Sequence, residues 1–202
     1  SVISHMNAIS TDIANQIAAI NEKHFQTLHV IAELDIIKDE NASLAEKQKE
    51  IVNVIHAIGD NCIDMAFYDA NGDCLLADGR SINFKDRVYF QTAFKGGDFV
   101  SDPKFSPVTN TVLQHYSVPV YNKKNKIIGA VVMVIQGNTA LSTIEQIDLG
   151  FGMHPSIINW EAQSTVANAN PGTDESQTGQ TEMDDTQGLG LVLKNIFEGK
   201  ES

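Results

Sequence analysis

The sequence predicts an α+β domain: a long amphipathic helix, then an antiparallel sheet backed by helices. Three observations predict it. Met6, Ile9, Ile13, Ile17, Ile20, His24, Leu28 and Ile31 recur at three- and four-residue steps, one apolar stripe on a helical period. From residue 61 the apolar period changes to two. Asn71-Gly72 and the Asn122-Lys123-Lys124-Asn125 loop supply hairpin turns between the alternating runs.

The elements follow in order. No Gly or Pro occurs before Gly59, so the first helix is expected over residues 1–38. It would be a rod of about 57 Å at ~1.5 Å per residue. Asp39-Glu40-Asn41-Ala42 breaks it. Ser43-Leu44-Ala45-Glu46 is a capping box: the serine hydroxyl accepts from the third helical N–H and Glu46 reaches back. A second helix with Leu44, Ile51, Val54, Ile55 and Ile58 inward stops at Gly59. Strands are expected at Cys62–Asp69, Cys74–Asp78, Thr111–Val120 and Lys126–Ile135, with a helix at Asp86–Lys95 ended by Gly96-Gly97. A helix at Thr139–Ile147, a strand pair at His154–Asn159 and Ser164–Asn168, and a helix at Leu189–Glu198 complete the reading. Residues 161–188 hold six acidic side chains and no Lys or Arg, and roughly 170–188 is expected to be a mobile loop.

Composition excludes several classes. The chain has 202 residues, 42% of them hydrophobic, which is the composition of a folded chain. With 26 acidic and 14 basic residues the net charge is −12, which repels nucleic acid. No uncharged apolar run approaches the ~18 residues of a membrane span. The start, Ser1-Val2-Ile3-Ser4-His5-Met6, carries neither a basic leader nor an initiator Met, so any signal or anchor segment is expected outside these residues. Cys62 and Cys74 flank the first hairpin. If Cys74 lies opposite Asp69, Cys62 is seven residues away along its strand, roughly 23 Å at ~3.3 Å per residue. A disulfide tolerates about 7 Å, so two free, buried thiols are expected.

Most motif-like fragments carry no chemistry. Gly96-Gly97-Asp98-Phe99 lacks the glutamate of a GGDEF signature and reads as a helix stop before a strand. Asp69-Ala70-Asn71-Gly72-Asp73 lacks the twelve-residue calcium-loop series and reads as a turn. His24 and His29 do not share a helix face, and no HxxxH, HExxH, GxSxG or Cys–His arrangement occurs, so neither a metal nor an enzymatic role is expected. Asp86-Arg87-Val88-Tyr89-Phe90 differs: an arginine lies within one helical turn of two aromatics. Its planar donor fork fits a carboxylate and the rings supply apolar walls. The alternative is an ordinary surface pair of Arg87 with Asp86 or Asp102.

The ordered series resembles the double Cache sensor domains of bacterial transmembrane receptors. It runs Asp86-Arg87-x-Tyr89-Phe90, Ala93-Phe94-x-Gly96, Val100-Ser101-Asp102-Pro103, Thr109-Asn110, Val118-Pro119-Val120-Tyr121 and Ile127-Ile128-Gly129-Ala130-Val131. Gly137-Asn138-x-x-Leu141-Ser142-x-Ile144 and Gly150-Phe151-Gly152-Met153 resemble that family's link into a second lobe. The wording is most similar to chemotaxis receptors; histidine kinases and diguanylate cyclases carry similar domains. The resemblance implies a spine over 1–59, a membrane-distal PAS-like ligand-binding lobe over 60–148 and a partial membrane-proximal lobe over 149–202. It implies an extracytoplasmic sensor attached to the membrane by segments outside this sequence, needing no cofactor. The rival reading is a ligand-free PAS-like interaction module, and a pocket beside Arg87 distinguishes the two.

The resemblance also implies site residues. The Arg-x-Trp-Tyr pattern of amino-acid-binding members corresponds to Arg87, Tyr89 and Phe90. Where those members have a Tyr and an Asp at the strand start, this chain has Lys104 and Ser106. Their ammonium-binding Asp, five residues past the strand glycine, corresponds to Val134. With that acid gone and Lys104 added, an organic acid is expected in preference to an amino acid. Pairing Tyr121 with Lys126 puts Ser117 opposite Ala130 and His115 opposite Val132, so both point to the ligand face. The expected ligand-binding set is Arg87, Tyr89, Phe90, Asp102, Lys104, Ser106, His115 and Ser117. The long stripe also fits a parallel homodimer.

Overall fold

The computed structural model describes residues 2–58, 61–107, 109–136, 155–158 and 192–195. Helix α1 spans Val2–Ala32. Its stripe is used within the chain: Met6, Ile13, Ile17, Leu28 and Ile31 are buried.

The helix stops six residues earlier than expected, without Gly or Pro. Leu34 turns extended (φ −61°, ψ 135°) and a four-residue helix α2, Asp35–Lys38, follows. Helical periodicity explains the break. Counting four and seven residues on from Ile31, an unbroken helix would aim Asp35 and Lys38 at the core. The kink leaves Asp35 exposed and puts Ile37 at 0% exposure.

Helix α3, Leu44–Ile58, begins with the expected capping box. The Ser43 amide and hydroxyl donate to Glu46 Oε2 (2.8 and 2.7 Å), and the Glu46 amide donates to Ser43 Oγ (3.3 Å). Two polar residues tie α3 down. The buried Lys47 amine donates to the Ile37 carbonyl (2.9 Å) and lies 3.9 Å from the Phe67 ring centroid. Gln48 donates to the Met65 carbonyl (2.8 Å).

The sheet contains β1 (Cys62–Asp69), β2 (Asp73–Leu75), β3 (Ser81–Asn83), β4 (Phe99–Val100), β5 (Lys104–Ser106), β6 (Thr111–Tyr121) and β7 (Ile127–Gln136). Its order is β3-β2-β1-β7-β6-β4, with β5 also on β6, and each pair is antiparallel. Helix α4, Val88–Phe94, lies between β3 and β4. Gly96 ends it at φ +95°, a backbone conformation that side chains disfavour.

Two registers differ from expectation. Tyr68, not Asp69, pairs with Cys74, because Asp69 takes the turn itself: its Oδ1 accepts from the Asn71 and Asp73 amides. Both thiols are free and buried, as expected. In the second hairpin Tyr121 pairs with Ile127 rather than Lys126, and an irregularity between Val120 and Tyr121 adds one more residue, so the pairing moves by two in all, to Ser117↔Val132 and His115↔Val134. An even shift keeps every side chain on its face.

Alternation along the strands builds two cores. On one face Met65, Phe67, Tyr116, Val118, Val131 and Met133 pack with Leu28, Ile31, Ile37 and Ile51 from the helices. On the other, Ala66, Tyr68, Cys74, Ala130 and Val132 pack with Phe90 and Ala93 of α4.

Beyond residue 136, β8 (Pro155–Ile158) pairs antiparallel with β9 (Val192–Asn195). The first lies within the expected strand at 154–159. The second replaces part of the helix expected at Leu189–Glu198, since Leu193 and Lys194 pair with Ile157 and Ser156. The strand expected at Ser164–Asn168, the helix at Thr139–Ile147 and the loop near 170–188 lie outside the described residues.

Candidate functional site

The α4 face of the sheet is not completely covered. A cavity of about 170 Å³ opens beside the first turn of α4. Its floor is three strands wide. Cα pairing sets His115 on β6, Val134 on β7 and Asp64 on β1 in one transverse row, and all three line the cavity. Ala66 and Val132 form the next row, and Leu76, Phe84, Tyr68 and Tyr89 close the sides.

Tyr89 is positioned from two directions. The fully buried Ser117 hydroxyl donates to the Tyr89 carbonyl (2.7 Å), fastening α4 to β6. Its ring stacks on His115 at 4.9 Å between centroids and 6° between planes. His115 is held in turn by paired backbone contacts: its amide donates to Ser101 Oγ (2.9 Å) and its carbonyl accepts from the Ser101 amide (2.8 Å). Burial, with Arg87 and Lys104 nearby, pushes the His115 imidazole down to about 4. It is therefore neutral at pH 7, and positive potential reaches this end of the cavity from two strand-and-helix elements.

The structure separates the eight expected residues. Tyr89 and His115 line the cavity. Arg87 caps α4, with its guanidinium carbon 6.0 Å from the centroid of the Phe84 wall residue. Lys104 is exposed on β5 opposite Leu113, another wall residue. Both are rim groups, close enough to act on His115. The other four do not line the cavity. Phe90, one residue and about 100° of helix turn beyond Tyr89, points into the sheet and stacks on Phe94 and Tyr68. Ser117 gives its hydroxyl to the Tyr89 backbone. Ser106 accepts from the Thr109 amide (3.4 Å) in the turn after β5. Asp102 is half-buried in the segment between β4 and β5.

Sequence reasoning missed Asp64, an acid on the cavity wall that the expected ligand-binding set did not include. Asp64 is the direct cross-strand partner of Val134, the position where the resemblance located the missing carboxylate. Its Oδ1 accepts from the Met65 amide (2.8 Å) and the Ala77 amide (3.2 Å). Burial raises its pKa above the ordinary carboxylate value, opposed by those two amides. The signal was present: Asp64 is a charge in phase with Ala66 and Tyr68, inside a strand whose other charge, Asp69, stands at its end. Among the described residues no group of three or more His, Cys, Asp or Glu could hold a metal ion.

No protein-family model and no curated protein matches the sequence. Solved structures do match it. The ligand-binding domain of Campylobacter jejuni chemoreceptor Tlp3 in complex with 4-methylisoleucine superposes with a TM-score of 0.65 at 16% identity, covering 87% of this chain and 75% of that one. The Pseudomonas aeruginosa amino acid chemoreceptor PctC with GABA gives 0.62 at 14%, covering 77% and 71%. The Pseudomonas fluorescens chemoreceptor CtaA with L-serine gives 0.65 at 12%, covering 82% and 71%. The chain thus has the fold of Cache-type chemoreceptor ligand-binding domains.

Proposed function

We propose that this chain is the extracytoplasmic sensor domain of a bacterial chemoreceptor and binds a small carboxylate-bearing molecule in the cavity beside α4. The observation that carries this reading is the cavity itself, walled by Tyr89 and His115 and rimmed by Arg87 and Lys104. A ligand-free interaction module would fill that space with side chains. Solved domains of the same fold were obtained with 4-methylisoleucine, GABA and L-serine, each of which carries a carboxylate. Residues 1–59, 60–148 and 149–202 are assigned to spine, sensing lobe and partial second lobe on the same basis. Among the described residues no helix is long and apolar enough to cross a membrane.

The fold offers a direct path from ligand to spine. His115 faces the cavity, and the next residue of β6, Tyr116, faces the other way. The Tyr116 hydroxyl donates to Asn21 Oδ1 of α1 (2.7 Å), and its ring meets His24 at 4.8 Å. A ligand that favours one position of β6 and α4 thereby favours one position of α1. Leu28 and Ile31 of the apolar stripe pack on the chain's own sheet.

Calorimetric titration with small carboxylates and amino acids tests the reading. Binding that weakens about ten-fold or more in both Arg87→Ala and Tyr89→Ala is expected. Binding indifferent to both substitutions refutes the site.

A further inference from the structure

The face of the sheet opposite the cavity carries titratable groups of its own, at the seam with α1. His24 and His29 are five helical steps apart, which turns them about 140° relative to each other, so they meet different elements. The His24 ring lies against Tyr116 of β6, 4.8 Å between centroids and 54° between planes. His29 Nε2 stands 2.7 Å from Asp98 Oδ2, in the link between α4 and β4. That contact joins residues 69 apart in the chain, unlike Lys38–Glu33 and Arg80–Asp78, which are local. Between the two histidines Leu28 is fully buried.

A proton acts on these two contacts in opposite senses. Burial, and then Lys23, lower the pKa of half-buried His24, so its charged form is disfavoured while the ring is seated on Tyr116. His29 is exposed and faces a carboxylate, so its charged form turns a hydrogen bond into an ion pair. The sheet face turned to α1 supplies Tyr116, Val118, Val131 and Met133, none of them charged at neutral pH. Glu33, one turn beyond His29, pairs with Lys38 at 2.7 Å, and Asp35 of α2 is exposed. Lys95 lies three residues before Asp98 and is exposed.

We propose that the seam between α1 and the sheet is a proton sensor: acidification releases α1 at His24 and draws it to Asp98 at His29, tilting the helix about Leu28. The domain then reads pH as a second input, delivered to the spine with no ligand in the cavity. Tyr116, which seats His24, also hydrogen bonds Asn21, so the two inputs converge on one stretch of α1. His115 stays largely neutral down to pH 5, since it is held down to about 4.

Amide hydrogen exchange on this chain without ligand, at about pH 7.5 and 5.0, tests it, with protection expressed relative to the intrinsic rate at each pH. Protection of residues 21–25 is expected to fall about three-fold at the lower pH, and that of residues 29–32 to rise about two-fold, the scale of a partly exposed charge interaction. His24→Phe keeps a ring on Tyr116 that cannot take a proton, and should abolish only the loss at 21–25. His29→Gln keeps a donor for Asp98 without a charge, and should abolish only the gain at 29–32. Absence of either response in the parent overturns the proposal, as does a response of the same sign in both segments. So do variants that change protection equally at both pH values, which is the mark of a structural role alone. Ligand binding in the cavity is measured separately, so the sensor reading can fail with these responses intact, and the reverse.

Discussion

His115 makes the stability of this domain depend on pH in a direction that can be worked out. In the folded chain its imidazole is held down to about 4 by burial, assisted by Arg87 and Lys104. In the unfolded chain it titrates near 6.5. Between these two values the unfolded chain binds the additional proton, so stability falls as pH falls through that window and is fully present above pH 6.5. The gap corresponds to about 3 kcal/mol over the whole window, and roughly 2 kcal/mol after allowing for the partial exposure of the ring. Asp64 acts in the opposite sense, because its raised pKa makes the folded state the better proton acceptor at low pH. A comparison with His115→Phe cancels that contribution, since Asp64 is common to both proteins and phenylalanine preserves a ring to stack on Tyr89. Urea unfolding at pH 7.5 and pH 4.5 measures the effect. The parent should lose roughly 2 kcal/mol more than His115→Phe between the two conditions. Equal losses would refute the claim that a neutral histidine is enclosed under two cations.

Three further outcomes follow from packing and capping. A Cβ at Gly129 would overlap the Tyr68 carbonyl oxygen and lie 2.6 Å from Phe67 Cζ. Gly129→Ala should therefore cost about 3 kcal/mol or prevent folding, read by thermal melting, because a backbone oxygen cannot rotate away. Ser43→Ala removes the hydroxyl of the capping box and should cost about 1 kcal/mol in urea unfolding. Tyr116→Phe removes the hydrogen bond to Asn21 and should cost about 1 kcal/mol. Amide exchange should accelerate around Asn21 in that variant, and an unchanged exchange pattern there would remove β6 from the path to α1.

How much of the site was legible is clearest from individual residues. His115 and Tyr89 were found because hairpin parity and helical spacing are local rules. The His115 assignment survived a two-residue register error, since an even slip preserves the face. Phe90 adjoins Tyr89 in sequence yet packs on Tyr68 and Phe94: a matching pattern of residue types does not say which of two neighbours on a helix meets the cavity. Ser117 was placed on the correct face, yet α4 lies directly over it and takes its hydroxyl. Asp64 escaped notice because its significance depends on β1 pairing with β7, strands separated by some sixty residues of chain.

The long helix shows the same division. Its stripe, its capped successor and the switch to period two are written locally, so the α+β class and the order of the main elements follow from the sequence alone. The break at Leu34 is not local, since no Gly or Pro marks it. It exists because the sheet has room for Ile37 and none for Asp35, and only the packed structure supplies that constraint. Net charge belongs to the same class of partial information. The value of −12 excludes a polyanion partner but is a sum over the chain. The arrangement that matters, cations at the rim of a cavity and Asp64 on its wall, arises when the start of α4, β5 and β1 bring distant residues around one space. Coulombic interactions depend on those separations, which composition does not contain.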